Sequence, residues 1–164
     1  MWLIIGVLLL VMLAGSSILF YNYKCQCELN RNKISFKESM DLTELPVVTF
    51  KNNNQKINFL LDTGSNISYI NQSIVPNLKH KILAKTGNTI GIEGNVKKTL
   101  YCQLEFNYKD TIFIDEFSIL DLDTSFNTIK EESGVQIHGI LGSKFFEKYK
   151  YVLDFANLTA YMKK

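Results

Sequence analysis

The chain has 164 residues, with 18 Lys and Arg against 16 Asp and Glu for a net charge of +2, which is room for one ordinary domain and an appendage. So small a charge, with the lysines mixed among the acids, excludes an extended basic surface and with it a nucleic-acid partner. The three cysteines, Cys25, Cys27 and Cys102, match neither a disulfide framework nor a zinc-ligand spacing, so the sequence implies neither a metal nor another cofactor.

In chain order, Trp2 to Tyr21 is almost unbroken Ile, Leu, Val, Met and Phe, with no charge until Lys24. As a helix rising about 1.5 Å per residue it would span roughly 30 Å, the thickness of a bilayer core. Residues 1–23 therefore read as a transmembrane anchor, without the basic leader of a secretory signal peptide. Lys24, Arg31, Lys33 and Lys37 follow it, and the positive-inside rule then puts the rest of the chain on the cytoplasmic side. Cys25 and Cys27 lie just past the anchor, where they are open to acylation, to linking two chains, or to no role at all. Residues 24–44 are polar and without apolar period, a linker. The folded domain is expected over 45–164.

That domain reads as a succession of strands. Pro46 to Phe50 and Lys56 to Leu61 flank an Asn-rich hairpin connection that leads straight into Asp62-Thr63-Gly64-Ser65-Asn66, and Ile67 to Ile70 resumes the strand pattern. Asn71 to Leu78 reads as a loop or short helical turn. Asn88 to Ile92 and Val96 to Phe106 form a second hairpin around Glu93-Gly94-Asn95, made pliant by Gly87, Gly91 and Gly94. Cys102 lies in its alternating run as a small core residue. Thr111 to Ile114 continues the sheet, and Asp121 to Gly134 reads as a long surface connection. Val135 to Gly142 is a buried-looking run ending in glycine. Ser143 then opens a short helix through Lys148 that buries Phe145, Phe146 and Tyr149, and Tyr151 to Phe155 and Leu158 to Met162 close the chain as strands. Helix is expected only there and in the anchor.

Where an apolar strand surfaces into Asp62-Thr63-Gly64, a carboxylate is held rigid and partly desolvated, conditions that fit it for chemistry. The same tripeptide also serves as an ordinary turn that caps a strand. Asp123-Thr124-Ser125 is a poor second copy, with serine in place of the glycine and no apolar run before it. His80 and His138 stand apart from each other and from any cysteine pair, and read as structural. No nucleophile elbow is present.

The ordered set of Phe59 to Ser65, the Gly-rich hairpin, Ile140-Leu141-Gly142 with its Phe-rich helix, and Val152-Leu153-Asp154-Phe155 resembles the retropepsin-like aspartic proteases from about Leu45 to Lys164. The resemblance implies an all-β domain, a closed and mostly antiparallel barrel with one short C-terminal helix, here behind an N-terminal transmembrane helix. It implies a peptidase with Asp62 as the catalytic residue. Thr63, Gly64 and Ser65 would support the active-site loop, and Ile90, Gly91, Ile92, Glu93 and Gly94 would form a flap over a peptide substrate. Ile140, Leu141 and Gly142 would pack beside the catalytic loop. Because aspartic proteolysis uses two carboxylates that share a proton and this chain has one such motif, the resemblance implies a homodimer with the site at its interface. The retroviral members place an acid one residue after the small residue and an arginine after the late glycine. Asn66 and Ser143 stand there instead, which leaves the dimer to other contacts such as the terminal strands. The alternative is an inactive protease-like β-domain that binds peptides or mediates dimerisation at a membrane.

Overall fold

The computed structural model describes residues 12–24, 33–90 and 96–163, and for 88–90, 96 and 97 the backbone alone. The chain divides into two units, Met1–Lys33 and Ile34–Lys164. In the first, residues 12–24 form helix α1, in which the Ser16 and Ser17 hydroxyls both donate to the Leu13 carbonyl at 2.9 Å. Among the described residues no helix is long and apolar enough to cross a membrane. The expected transmembrane helix is thus not found. Thirteen helical residues reach only about 20 Å, and the first eleven residues of the expected anchor, 1–11, lie outside the described residues, as do Cys25 and Cys27.

The second unit runs β1 (Ile34–Ser35), α2 (Lys37–Thr43), β2 (Val47–Asn52), β3 (Gln55–Leu61), β4 (Ser68–Asn71), a 3-10 turn (Val75–Asn77), β5 (His80–Ile90), β6 (Val96–Tyr108), β7 (Thr111–Leu120), α3 (Asp123–Ser133), β8 (Gly139–Leu141), α4 (Ser143–Tyr149), β9 (Tyr151–Asp154) and β10 (Thr159–Met162). The β2–β3 hairpin alternates as its sequence demands: Val48, Phe50, Ile57, Phe59 and Leu61 all point into the core. Its connection is Asn53-Asn54, with Asn53 at φ 53, a left-handed conformation that asparagine tolerates. One sheet runs in the order β2-β3-β8-β4-β7-β6-β5, and Lys51 of β2 also pairs with Asn107 of β6. That last pairing closes β2, β3, β8, β4, β7 and β6 into a barrel and leaves β5 outside it on β6.

The expectation of an antiparallel barrel holds only in part: β2–β3, β8–β4, β7–β6 and β6–β2 are antiparallel. β3 runs parallel to β8, with Leu60 opposite Ile140 and Leu61 opposite Leu141, and β4 runs parallel to β7. Both pairs join strands far apart in sequence, where no hairpin dictates direction and long connections are available.

Helix is also more extensive than expected. Asp121 to Gly134 is not a surface loop but contains α3. Leu122, Phe126 and Ile129 form an apolar stripe that packs with Val47 and Ile137 in a small core of its own. Gly134, at φ 76, ends the helix with its N–H on the Lys130 carbonyl at 2.8 Å. In the stretch expected as linker, α2 follows β1, and β1 pairs with β10 through Ile34↔Ala160 and Ser35↔Thr159. Ile34 and Phe36 are buried in the main core.

That core is aromatic. Phe50, Phe59, Phe106, Phe113, Phe117 and Phe145 are fully buried. Phe50 meets Phe106 edge-on at 5.1 Å between centroids, while Phe59 and Phe117 stack at 5.4 Å, two arrangements that aromatic quadrupoles favour. Cys102 sits in the same core as a free thiol, and burial pushes its pKa up to about 11, which keeps it protonated and unreactive.

Candidate active site

β3 ends at Leu61, yet its ladder with β8 continues for one more bond: the Asp62 N–H donates to the Leu141 carbonyl at 3.0 Å. This bond fixes where the carboxylate emerges. The chain then turns sharply, with the Ser65 N–H on the Asp62 carbonyl at 3.3 Å and the Gly64 N–H on Asp62 Oδ1 at 2.9 Å. Asp62 is half-buried, while Thr63 and Gly64 are exposed at the tip. Among the described residues Asp62 Oδ2 accepts no hydrogen bond, so one carboxylate oxygen is held by the loop and the other is open.

Gly64 serves the turn through tight space at the Asp62 carboxylate more than through backbone freedom. It does not adopt a positive φ, but a Cβ there would stand 3.2 Å from Asp62 Oδ1. Ser65 turns its hydroxyl inward onto the Ile67 carbonyl at 2.8 Å.

The late motif lies directly against this loop. Gly139, Ile140 and Leu141 form β8, and Gly142 is the cap from which α4 starts. A methyl group at 142 would collide with the Ile67 carbonyl and come within 2.9 Å of the Ser65 carbonyl. The Ser143 N–H donates to the Ser65 carbonyl at 2.7 Å, and the Ser143 hydroxyl reaches the Asn66 carbonyl at 3.4 Å. Asn66 and Ser143 are therefore neighbours, and the two segments are joined there through main-chain carbonyls.

Of the expected flap, Ile90 is the last residue of β5 and pairs with Val96, whereas Gly91, Ile92, Glu93 and Gly94 lie outside the described residues. The hairpin below the tip is long and regular, apart from a register shift between Leu83 and Thr86. Gly87 makes room for the Tyr101 ring, whose hydroxyl would stand 2.8 Å from a Cβ at that position.

The remaining candidates are structural. His80 Nδ1 lies 2.8 Å from the Leu78 carbonyl. His138 Nδ1 accepts the Asn58 N–H at 3.0 Å, and the main-chain N–H of His138 donates to the Asn58 carbonyl at 2.9 Å, so residue 138 extends the β3–β8 ladder through both its ring and its backbone. Asp123 is no second copy of the Asp62 loop. Its carboxylate receives Asn71 Nδ2 at 2.7 Å and the Ser73 hydroxyl at 2.9 Å, bonds that tie the start of α3 to the end of β4 and lower its pKa.

Residues 48–145, more than half of the chain, match the family model described as aspartyl protease. The chain belongs to the aspartyl protease family. The matched range of this aspartyl protease chain takes in the Asp62 loop and the Ile140-Leu141-Gly142 segment, and leaves β1, α2, β9 and β10 outside. No curated protein matches the chain significantly. Among solved structures, the EIAV protease complexed with the inhibitor HBY-793 is 18% identical, covering 70% of this chain and 97% of its own, with a TM-score of 0.49.

Proposed function

We propose that this protein is a retropepsin-like aspartic endopeptidase, active as a homodimer in which the Asp62 carboxylates of two copies face one water molecule. The observation that carries this reading is a single Asp-Thr-Gly loop, bonded to β8 at its base and offering one unengaged carboxylate oxygen. One such carboxylate can accept the water's proton as the oxygen attacks the scissile carbonyl carbon. The other, protonated, donates to the carbonyl oxygen. The tetrahedral diol then breaks its C–N bond as a proton passes to the amine, and the dyad returns to its singly protonated state. A single chain supplies only the first carboxylate, hence the dimer.

In this reading Thr63, Gly64 and Ser65 hold the paired loops, and Ile90 to Gly94 close over the peptide to exclude water. The apolar stretch 2–21 ties the domain to a membrane. Asp62→Asn removes the shared proton's site and should lower cleavage of a mixed peptide library by about 10³-fold or more, with pepstatin-type inhibition lost in parallel. Unchanged cleavage by that variant would end the protease reading. A dimeric wild-type protein that cleaves nothing between acid and neutral pH would leave a peptide-binding β-domain in its place.

A further inference from the structure

The bond that joins Gly142 to the barrel leads away from the active-site loop to a charge. The Gly142 N–H is buried and donates to Ser68 Oγ at 3.3 Å. Ser68, on β4, is 2% exposed, and its hydroxyl donates to Asp115 Oδ2 on β7 at 3.1 Å. Asp115 Oδ1 in turn receives Lys148 Nζ of α4 at 3.3 Å. The carboxylate is well shielded and the ammonium half exposed, their side chains 13% and 50% accessible. Burial works against the Lys148 charge, but Asp115 and Tyr149 outweigh it and leave its pKa raised. Tyr149 clamps the same place, accepting the Ile114 N–H at 2.8 Å and donating to the Ile114 carbonyl at 2.7 Å.

A hydroxyl has one proton to give. An ionised carboxylate only accepts, so Asp115 commits the Ser68 proton to itself and leaves the oxygen's lone pairs facing the Gly142 N–H. The bond to the carboxylate is charge-assisted and stronger than a neutral one. Gly142 is also the residue whose backbone lies against the Ile67 carbonyl, between Leu141, which receives the Asp62 N–H, and Ser143, which donates to Ser65.

We propose that Asp115 and Lys148 are positioning residues for Asp62, acting through Ser68 on Gly142 to set the height of the catalytic loop. This rests on the aspartic-protease reading. It also answers what brackets the loop in a chain with Asn66 and Ser143 where the retroviral relatives carry an ion pair: a charged pair drawn from β7 and α4 holds it from below. None of the three side chains touches substrate in this assignment.

The test is a set of substitutions in the full-length protein. Asp115→Asn keeps the shape but removes the charge that fixes the hydroxyl. Ser68→Ala removes the relay, and Ser68→Thr restores a hydroxyl. The expected result is a kcat about tenfold lower for Asp115→Asn and Ser68→Ala, within the range that small misplacements of reacting groups produce. KM and the dimer dissociation constant should stay within about twofold, Ser68→Thr should return kcat to near the wild-type value, and Lys148→Met should have a smaller effect because its ammonium is half solvated. Amide hydrogen exchange gives a readout that does not depend on cleavage: the Asp62 and Ser143 N–H groups should exchange about tenfold faster in Asp115→Asn, with the β2–β3 hairpin unchanged. Wild-type kcat with wild-type exchange in Asp115→Asn and Ser68→Ala overturns the proposal, as does a loss of rate that only follows loss of dimer. If the wild-type protein shows no cleavage that Asp62→Asn abolishes, the protease reading fails, and the relay is then upheld or rejected on the exchange at Asp62 and Ser143 alone.

Discussion

A main-chain N–H has a proton that it cannot withdraw, so the Asn58 N–H aimed at His138 Nδ1 at 3.0 Å requires that nitrogen to be unprotonated. Burial, and then the positive charge of Lys130, lower the His138 pKa below its ordinary 6.5. The folded state therefore binds this proton less readily than the unfolded chain. Its contribution to stability is complete above the ordinary imidazole value and shrinks as the pH falls below it, until the native ring also protonates. We expect urea midpoints to decline across that window, and His138→Gln, which cannot titrate, to flatten the decline. An unchanged slope in the variant would locate the acid sensitivity elsewhere. If the proposed carboxylate pair works in mild acid, it would do so where this ladder bond weakens.

The two glycines of the site separate stability from activity. At Gly142 a methyl group meets the backbone of Ile67, which cannot swing aside. Gly142→Ala should therefore cost about 1–3 kcal/mol or more and show as a lower melting temperature. At Gly64 the obstacle is the Asp62 carboxylate itself, 3.2 Å away, and it can rotate. Gly64→Ala should leave melting nearly unchanged and reduce cleavage. The opposite ranking would contradict this reading. Sequence suggested the importance of Gly64 through turn preference, whereas the reason lies in a contact that only the folded loop reveals.

Among the elements, those built from dense local patterns were legible and those held by distant partners were not. The β2–β3 hairpin, β6 and α4 carry alternation or a Phe-rich face within a few residues of each other, whereas β5, expected only over Asn88 to Ile92, begins at His80. α3 offers only Leu122, Phe126 and Ile129 among acids and hydroxyls, a stripe too dilute to outweigh its loop-like composition, although Gly134 marked its end. β1 has two residues and exists because β10 lies beside it, more than a hundred positions away. Its contribution is nonetheless substantial, since Ile34 and Phe36 are 4% and 1% exposed and Phe36 meets the Phe155 ring edge-on at 5.5 Å. A fragment of residues 45–164, the domain as its sequence composition delimits it, should be less stable than one of residues 33–164 by about 3–5 kcal/mol, the usual cost of emptying one large aromatic site. Chemical denaturation of the two fragments measures the difference, and equal midpoints would mean that β1 and α2 merely decorate the barrel.

At the scale of the whole molecule, the Asp62 loop was legible because its candidate chemistry is concentrated in consecutive residues, while the proposed pairing of copies would depend on surfaces that no motif records. The terminal strands are a case in point. β10 lies between β1 and β9 of its own chain, and its Thr159–Ala160 half is paired on both sides. Among the described strands of that sheet β1 and β9 form the outer edges, and in the proposed homodimer the lack of an ion pair at Asn66 and Ser143 would make pairing weak. Weak pairing would make activity sensitive to concentration: if each active site is built from two chains, as proposed, a 33–164 fragment diluted below its dissociation constant should lose specific activity in proportion to concentration. Attachment through residues 2–21 would confine copies to one surface in one orientation, raising their effective concentration without any new contact. Full-length protein in lipid vesicles should then keep its specific activity over a dilution range in which the fragment loses it, and sedimentation of the fragment should show monomer over that range. Equal loss in both preparations would remove the tether's role, and constant activity in the fragment at concentrations where it sediments as a monomer would remove the dimer itself.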